Sequence, residues 1–204
     1  MSLARKVDLM GEYNRRIMAW GPPVTTSQVL YQEKFTRLWL CTSQGTAVYQ
    51  ERLDLSGVVA AVATRGGLTQ IARHGFGSSR DFGVARGLEG RVDEVCGLAT
   101  ALLDAPVVQA GEYPVVCDSR LAGVFVHEAF GHLSEADELA ENPALQQVMK
   151  LGRRFGRDIL SIYDSGLDKG ARGYLPYDDE GVPAEKTYLI REGVLVGRLH
   201  SRES

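Results

Sequence analysis

The apolar positions of the first 109 residues predict two amphipathic helices. In Leu3–Trp20, apolar residues recur at steps of three and four, with charged residues between them, as on one face of a helix. The same spacing recurs in Leu88–Leu103, and Ala105-Pro106 then predicts the end of that helix. Each helix therefore has one apolar face to bury.

Between these helices, the apolar residues fall in short runs that favour β-strands. The runs are Val29–Tyr31, Arg37–Cys41, Ala47–Tyr49, Val58–Ala63 and Leu68–Ala72. Because parallel strands need a long crossover and these connections are short, the strands are predicted to be antiparallel. We expect a meander of four or five strands, followed by a glycine-rich loop over residues 75–83.

A second unit is predicted from residue 110 onward. The pattern predicts a core strand at Tyr113–Cys117, a long or broken helix over Leu121–Leu139, a helix from Asn142-Pro143, a strand at Ile159–Tyr163 and a hairpin at Tyr188–Gly197. The hairpin is expected to turn at Glu192-Gly193. The predicted fold class is α+β: an antiparallel β-meander flanked by helices in residues 1–109, then a truncated α/β unit in residues 110–204.

Composition and charge narrow the class of protein. The 204 residues are 44% hydrophobic and 24% charged, which is ordinary for a globular protein. A net charge of −3 gives no positive surface for nucleic acid or anionic membranes. No apolar run approaches the roughly 20 residues that span a bilayer, and Met1–Glu12 lacks the apolar core of a signal peptide. Three widely spaced cysteines argue against a disulfide framework. We therefore expect a cytoplasmic protein without direct nucleic-acid or membrane contact.

One motif carries candidate chemistry. His127, Glu128 and His132 form the pattern His-Glu-x-x-x-His within an apolar, helix-like run. This is one residue longer than the His-Glu-x-x-His pattern of common zinc peptidases. Neutral imidazoles bind zinc, which activates water, and an adjacent carboxylate can pass a proton from that water to a leaving amine. His127 and His132 are thus candidate metal ligands, and Glu128 is the candidate catalytic residue.

The spacing of the motif requires a distorted helix. Residues five apart on an α-helix differ by roughly 140°, so His127 and His132 could not bind one metal ion from a regular helix. Gly131, directly before the second histidine, permits a π-bulge, a kink or a helix end. Our hypothesis is that the helix is distorted around Phe130-Gly131, which brings both imidazoles to one point.

The residues alone leave a third metal ligand unidentified. Zinc normally has at least three protein ligands. Cys117 is predicted to be a buried thiol in a core strand, which favours packing over ligation. Glu135 and Asp137 are predicted to lie on a solvated helix face, and His74 and His200 to be loop or surface residues.

Several segments, in the same order along the chain, resemble the TldD/PmbA family, metallopeptidases also described as modulators of DNA gyrase. They are Ala101–Pro106, Ala110–Asp118, Leu121–His132, Ser134–Asp137, Tyr177–Ala184, Lys186-Thr187 and Leu199–Glu203. The resemblance spans roughly residues 90–204, and the predicted meander suits the family's middle region. The intact motif is similar to that of the TldD-like catalytic member.

The resemblance implies roles for individual residues. His127 and His132 match the zinc-binding histidines of the family, and Glu128 matches its catalytic glutamate. The family's third ligand is a cysteine nearer the C-terminus, in a part that this chain does not contain. The chain is therefore expected to be an internal fragment that binds zinc weakly or not at all and is inactive by itself.

The resemblance also implies a function for the parent protein. It is expected to be a zinc-dependent peptidase that uses metal-activated water to hydrolyse unfolded or small peptides, as a heterodimer with a PmbA-like subunit. The alternative is a non-catalytic regulatory or binding module that acts on a protein partner such as DNA gyrase. A metal-storage role would predict zinc binding that does not depend on Glu128.

Overall fold

The computed structural model describes residues 1–204, which divide into two compact units. The first unit comprises Met1–Ala110 and Lys169–Tyr174, and the second comprises Gly111–Asp168 and Leu175–Ser204. Both contain helices and an antiparallel sheet, so the predicted α+β class is confirmed.

The first unit is a three-stranded antiparallel sheet with two helices. Its elements are α1 (Leu3–Met18), β1 (Val24–Cys41), β2 (Ala47–Arg65), β3 (Leu68–Ser78), a 3₁₀ turn (Phe82–Ala85) and α2 (Glu89–Leu102). The strands are arranged in the order β1-β2-β3. The helices lie within two residues of their predicted ends.

The predicted number of strands was wrong, because two of the expected breaks are not turns. Strand β1 has 18 residues and β2 has 19, so each joins two of the predicted runs. Glu33 and Lys34 continue β1 and pair with Leu55 and Asp54 of β2. Lys34 and Asp54 are opposite charges on facing positions, which stabilises a sheet rather than ending it.

The predicted loop at residues 75–83 also begins too early. Strand β3 continues through Gly75 and Gly77 to Ser78. These glycines pair with Val58 and Ser56 of β2, and tertiary pairing outweighs the low strand preference of glycine.

The core of the first unit lies between the sheet and its two helices. It contains Tyr13, Ile17, Val24, Val59, Ala61, Ala63, Ala72, Leu88, Val92, Val95, Cys96, Ala99 and Leu103. The buried Tyr13 hydroxyl donates to the carbonyl of Ala85 at 2.9 Å. The guanidinium of Arg16 binds both carboxylate oxygens of Asp93 at 2.7 Å, which joins α1 to α2.

The second unit consists of short helices and a small antiparallel sheet. Its elements are α3 (Ser119–Val126), a π-helical turn (His127–Gly131), a 3₁₀ turn (His132–Ser134), α4 (Ala136–Glu141), α5 (Pro143–Val148), β4 (Ile162–Ser165), β5 (Lys186–Arg191) and β6 (Val194–Leu195). The order of strands is β4-β5-β6. The predicted hairpin is confirmed: Glu192 (φ 49°) and Gly193 (φ 80°) both adopt the left-handed backbone of a tight hairpin turn.

The predicted core strand at Tyr113–Cys117 was wrong. This segment has no regular secondary structure, and the Val116 side chain is 99% exposed. The segment pairs with neither sheet, so its apolar residues have no strand neighbour to pack on. Cys117 is exposed, which corrects the expectation of a buried thiol.

The core of the second unit lies beneath the motif segment. Its buried residues are Leu139, Met149, Ile162, Leu189, Ile190 and Leu195. Val126, Phe130 and Leu133 pack against this core from the motif segment. No helix of the chain is both long and apolar enough to cross a bilayer.

Candidate metal centre

The motif lies where one helix changes its hydrogen-bonding pattern. Helix α3 begins after Asp118, whose carboxylate accepts a hydrogen bond from the Leu121 amide at 2.8 Å and caps the helix. At the other end, the His132 amide donates to the carbonyl of His127, five residues back, which defines a π-helical turn. The predicted distortion before His132 is therefore confirmed.

The wider turn brings the two histidines together. The ring centroids of His127 and His132 are 4.3 Å apart, with an angle of 60° between the rings. One potential ligand atom from each of His127, Glu128 and His132 lies within 4.8 Å of the other two. All three side chains are exposed, so an ion and a substrate can reach them.

Gly131 provides space for this arrangement. Its backbone (φ −57°, ψ −66°) is in the right-handed helical region that any residue can adopt. A Cβ atom at this position would lie 3.1 Å from Nδ1 of His127. The missing side chain therefore leaves room for the His127 ring.

Apolar neighbours fix the direction in which the motif faces. Val126, Phe130 and Leu133 alternate with the motif residues at helical spacing and pack on the core. The Phe130 ring contacts that of Phe155 edge to face, with centroids 5.4 Å apart. Since these side chains are anchored inward, the two histidines and Glu128 project outward.

The sequence prediction for Glu135 was wrong. Its side chain is half-buried, and its Oε1 atom lies 3.0 Å from Nδ1 of His132. Nothing in residue type separates Glu135 from the solvated glutamates that follow it. The three-residue spacing from His132 is the signal that could have identified it.

The other candidate ligands do not join the cluster of His127, Glu128 and His132. Cys96 is buried in the core of the first unit, whereas Cys41 and Cys117 are exposed. His74 lies in strand β3, and Nδ1 of His200 is 3.4 Å from the hydroxyl of Ser204. Asp137 is exposed, as predicted.

A cavity of about 320 Å³ adjoins the cluster within the second unit. It is lined by Gly123, Val126, His127, Gly131, Glu135, Ile162, Tyr163, Asp164, Leu189 and Leu199. Its walls are largely apolar, with carboxylates from Glu135 and Asp164 and no lysine or arginine. The cavity therefore leaves an open space directly beside His127.

The donor atoms of the cluster fit zinc. Zinc binds imidazole nitrogen and carboxylate oxygen, and two imidazoles converge here beside a carboxylate. Exposure on one side is also consistent with a catalytic site, which keeps a coordination position open.

Sequence comparison identifies the family. Residues 1–103 match the sequence model of the PmbA/TldA metallopeptidase central domain, and residues 110–204 match that of the PmbA/TldA metallopeptidase C-terminal domain. The chain belongs to the PmbA/TldA metallopeptidase family.

Curated relatives are metalloproteases. A metalloprotease of Synechocystis sp. is 46% identical over all of this chain and 44% of its own length. A zinc metalloprotease TldD homolog of Saccharolobus solfataricus is 40% identical over 43% of this chain and 19% of its own length. The chain spans less than half the length of these relatives.

Solved structures support the fold. A proposed modulator of a DNA gyrase from Thermotoga maritima superposes with a TM-score of 0.86 at 19% identity, over 100% of this chain and 46% of the other. TldE from Thermococcus kodakarensis superposes with a TM-score of 0.62 at 17% identity, over 95% of this chain and 43% of the other. At such identities the likeness concerns the fold alone.

Proposed function

We propose that this chain carries the zinc-binding and proton-transfer residues of a peptidase that hydrolyses unfolded or small peptides. The observation that supports this most is the convergence of His127 and His132 beside Glu128 on a π-helical turn. Zinc held there would supply a Lewis acid that polarises a peptide carbonyl and makes water more acidic.

The residues of the motif divide the work. The imidazoles of His127 and His132 would hold the ion. A Glu128 carboxylate oxygen would accept a proton from the attacking water as the water oxygen bonds to the carbonyl carbon of the peptide. Glu128 then donates that proton to the nitrogen of the leaving amine as the peptide C–N bond breaks. The cavity beside His127 is the proposed place for the substrate.

We propose that the third zinc ligand lies outside residues 1–204. None of the three cysteines belongs to the cluster, and the Synechocystis relative has more than half of its length outside the matched region. With two imidazoles, the chain should bind zinc weakly and hydrolyse no peptide. Stoichiometric zinc retained through dialysis against a chelator would contradict this.

A PmbA-like subunit is the proposed partner, in a heterodimer that works in the cytoplasm. On α3, Leu121, Val124 and Phe125 are 54%, 56% and 63% exposed. An apolar helix face with so much exposure, beside the candidate site, is typical of a surface that further polypeptide covers.

The division into domains near residue 109 stays a prediction. The exposed segment around Val107, Val108 and Val116 has no regular structure, which favours cleavage by a protease there. Limited proteolysis followed by denaturing mass spectrometry should give an early cut between residues 104 and 118. Early cuts confined to other segments would contradict the division.

Zinc content and peptide cleavage of the intact protein test the proposed function. Glu128→Gln should keep its zinc and lose at least about 100-fold in peptide cleavage, because the proton acceptor is removed. Glu138→Gln, an exposed glutamate outside the cluster, is the matched control and should cleave normally. If Glu128→Gln cleaves as well as the unchanged protein, the peptidase mechanism is wrong and a non-catalytic role is favoured.

A further inference from the structure

We infer that Glu135 is a positioning residue that holds His132 in the tautomer and orientation needed to bind metal. This rests on the proposed function, because it assigns His132 a metal. A carboxylate only accepts hydrogen bonds, so the 3.0 Å contact assigns the proton of His132 to Nδ1. The other ring nitrogen, Nε2, then keeps a free lone pair for an ion.

The backbone of Glu135 is fixed on both sides. The Leu199 amide donates to the Ser134 carbonyl at 2.8 Å, and the Ala136 amide donates to the Leu199 carbonyl at 2.9 Å. Glu135 itself is extended (φ −68°, ψ 119°) between the 3₁₀ turn and α4. These two hydrogen bonds fix the backbone of Glu135 directly before α4, within reach of His132.

The two residues that hold the backbone of Glu135, Ser134 and Leu199, are themselves packed into the second unit. Ser134 is 1% exposed, and Leu199 packs against the core of the second unit. The Glu135 side chain is 39% exposed, compared with 53% for His132, so water competes only partly for their hydrogen bond. Glu135 therefore connects a rigid part of the unit to the candidate metal centre.

Glu135 acts from outside the coordination sphere. The converging ligand atoms belong to His127, Glu128 and His132, and Glu135 is not among them. Carboxylates that bind the second ring nitrogen of a ligating histidine fix its orientation, and their loss typically costs 10–100-fold in metal affinity. A positioning role therefore predicts a measurable effect on both the free histidine and its affinity for zinc.

The tautomer of His132 tests the inference without zinc or peptide. In the chain labelled with ¹⁵N-histidine, long-range ¹H–¹⁵N spectra at neutral pH should show the Nδ1–H form of His132. Glu135→Ala should shift His132 toward the Nε2–H form that a histidine side chain prefers in water, and Glu135→Asp should restore part of the Nδ1–H population. An Nε2–H tautomer of His132 in the unchanged chain would overturn the inference. So would an Nδ1–H population that is the same in Glu135→Ala as in the unchanged chain.

Calorimetric titration with zinc alone gives the second readout. Glu135→Ala should weaken zinc binding 10–100-fold, whereas Glu138→Ala, an exposed control in α4, should leave it unchanged. Equal affinity for Glu135→Ala and the unchanged chain would also overturn the inference. A correct tautomer with no zinc binding by any form of the intact protein would instead count against the proposed function.

Discussion

The core of the first unit and the motif segment of the second use apolar residues in different ways. Between α1, α2 and the sheet, side chains such as Ile17, Val59 and Val92 are completely buried. In α3 and the π-helical turn, no residue is fully buried, although most residues of α3 are apolar. One region is organised by packing, whereas the other depends on backbone geometry and leaves its functional side chains exposed.

This difference explains why the motif region tolerates an unusual helix. A π-helical turn is rare and frequently lies at a functional site. Val126, Phe130 and Leu133 provide enough inward packing to hold the turn, while the opposite face carries the histidines. Residues on that face should therefore affect ligand binding more than stability, and the reverse should hold in the first unit.

Core truncation should give the largest effect. Ile17→Ala, in a fully buried position, should lower the free energy of unfolding by about 2–5 kcal/mol, because it removes buried methyl groups and leaves a cavity. Phe125→Ala, at a side chain that is 63% exposed, should change it by less than about 0.5 kcal/mol. Urea unfolding followed by circular dichroism measures both changes. Similar losses of unfolding free energy in the two variants would contradict the difference between the two regions.

A methyl group at Gly131 should affect metal binding rather than folding. In Gly131→Ala, the new Cβ would lie 3.1 Å from Nδ1 of His127 and push that ring away from His132. Zinc affinity should fall about tenfold, roughly 1.4 kcal/mol. Stability should change by less than about 1 kcal/mol, because alanine favours helix over glycine.

Gly123→Ala is the matched control for this substitution. Gly123 also lies in the helical run before the motif, but a Cβ there would meet no atom within 4 Å. Zinc titration should give the same affinity for Gly123→Ala as for the unchanged chain. Equal affinities for Gly131→Ala and Gly123→Ala would show that the space beside His127 is unimportant.

The smallest expected effect concerns acid stability. Hydrogen bonds from Lys6, and secondarily from Tyr31, hold the pKa of Glu33 below its ordinary value. The ionised carboxylate is therefore favoured in the folded state. The stabilisation of the folded state by ionised Glu33 is fully present above the pKa of this residue in the unfolded chain, near 4.3. It is lost as the pH falls through the lower pKa of Glu33 in the folded chain.

Glu33→Gln should flatten the loss of stability below about pH 4.5. The effect should stay under about 1 kcal/mol, because Glu33 is 40% exposed and water screens the pair. Glu12→Gln, at an exposed residue without an ion pair, should leave the acid profile unchanged. Urea unfolding between pH 2 and pH 7 measures this, and parallel profiles for both variants would contradict the assignment.

The sequence predicted the elements whose periodicity matches their burial. Helices α1 and α2 and the final hairpin followed from apolar spacing and from the turn at Glu192-Gly193. The lengths of β1 and β2 could not be predicted, because cross-strand partners such as Asp54 opposite Lys34 are set by tertiary pairing. The strand predicted at Tyr113–Cys117 was wrong because an apolar run alone does not specify a neighbouring strand to pair with.

The same distinction applies to the candidate site. The five-residue spacing of the histidines was enough to predict a distorted helix, because regular α-helix geometry forbids their convergence. The contact of Glu135 with His132 had the three-residue spacing as its local signal, but the backbone pairing that holds Glu135 there joins Ser134 to Leu199, 65 positions apart in the numbering. The distorted helix therefore follows from the spacing of neighbouring residues, whereas the support for Glu135 comes from a residue far along the chain.

An anomalous difference map, recorded at the zinc absorption edge from crystals of the protein grown with zinc, would show directly whether His127 and His132 bind one zinc ion. If both histidines bind the ion, the map should contain one peak at about 2.0–2.1 Å from an imidazole nitrogen of both His127 and His132. A peak bound to only one of these histidines, or zinc bound only elsewhere, would contradict it.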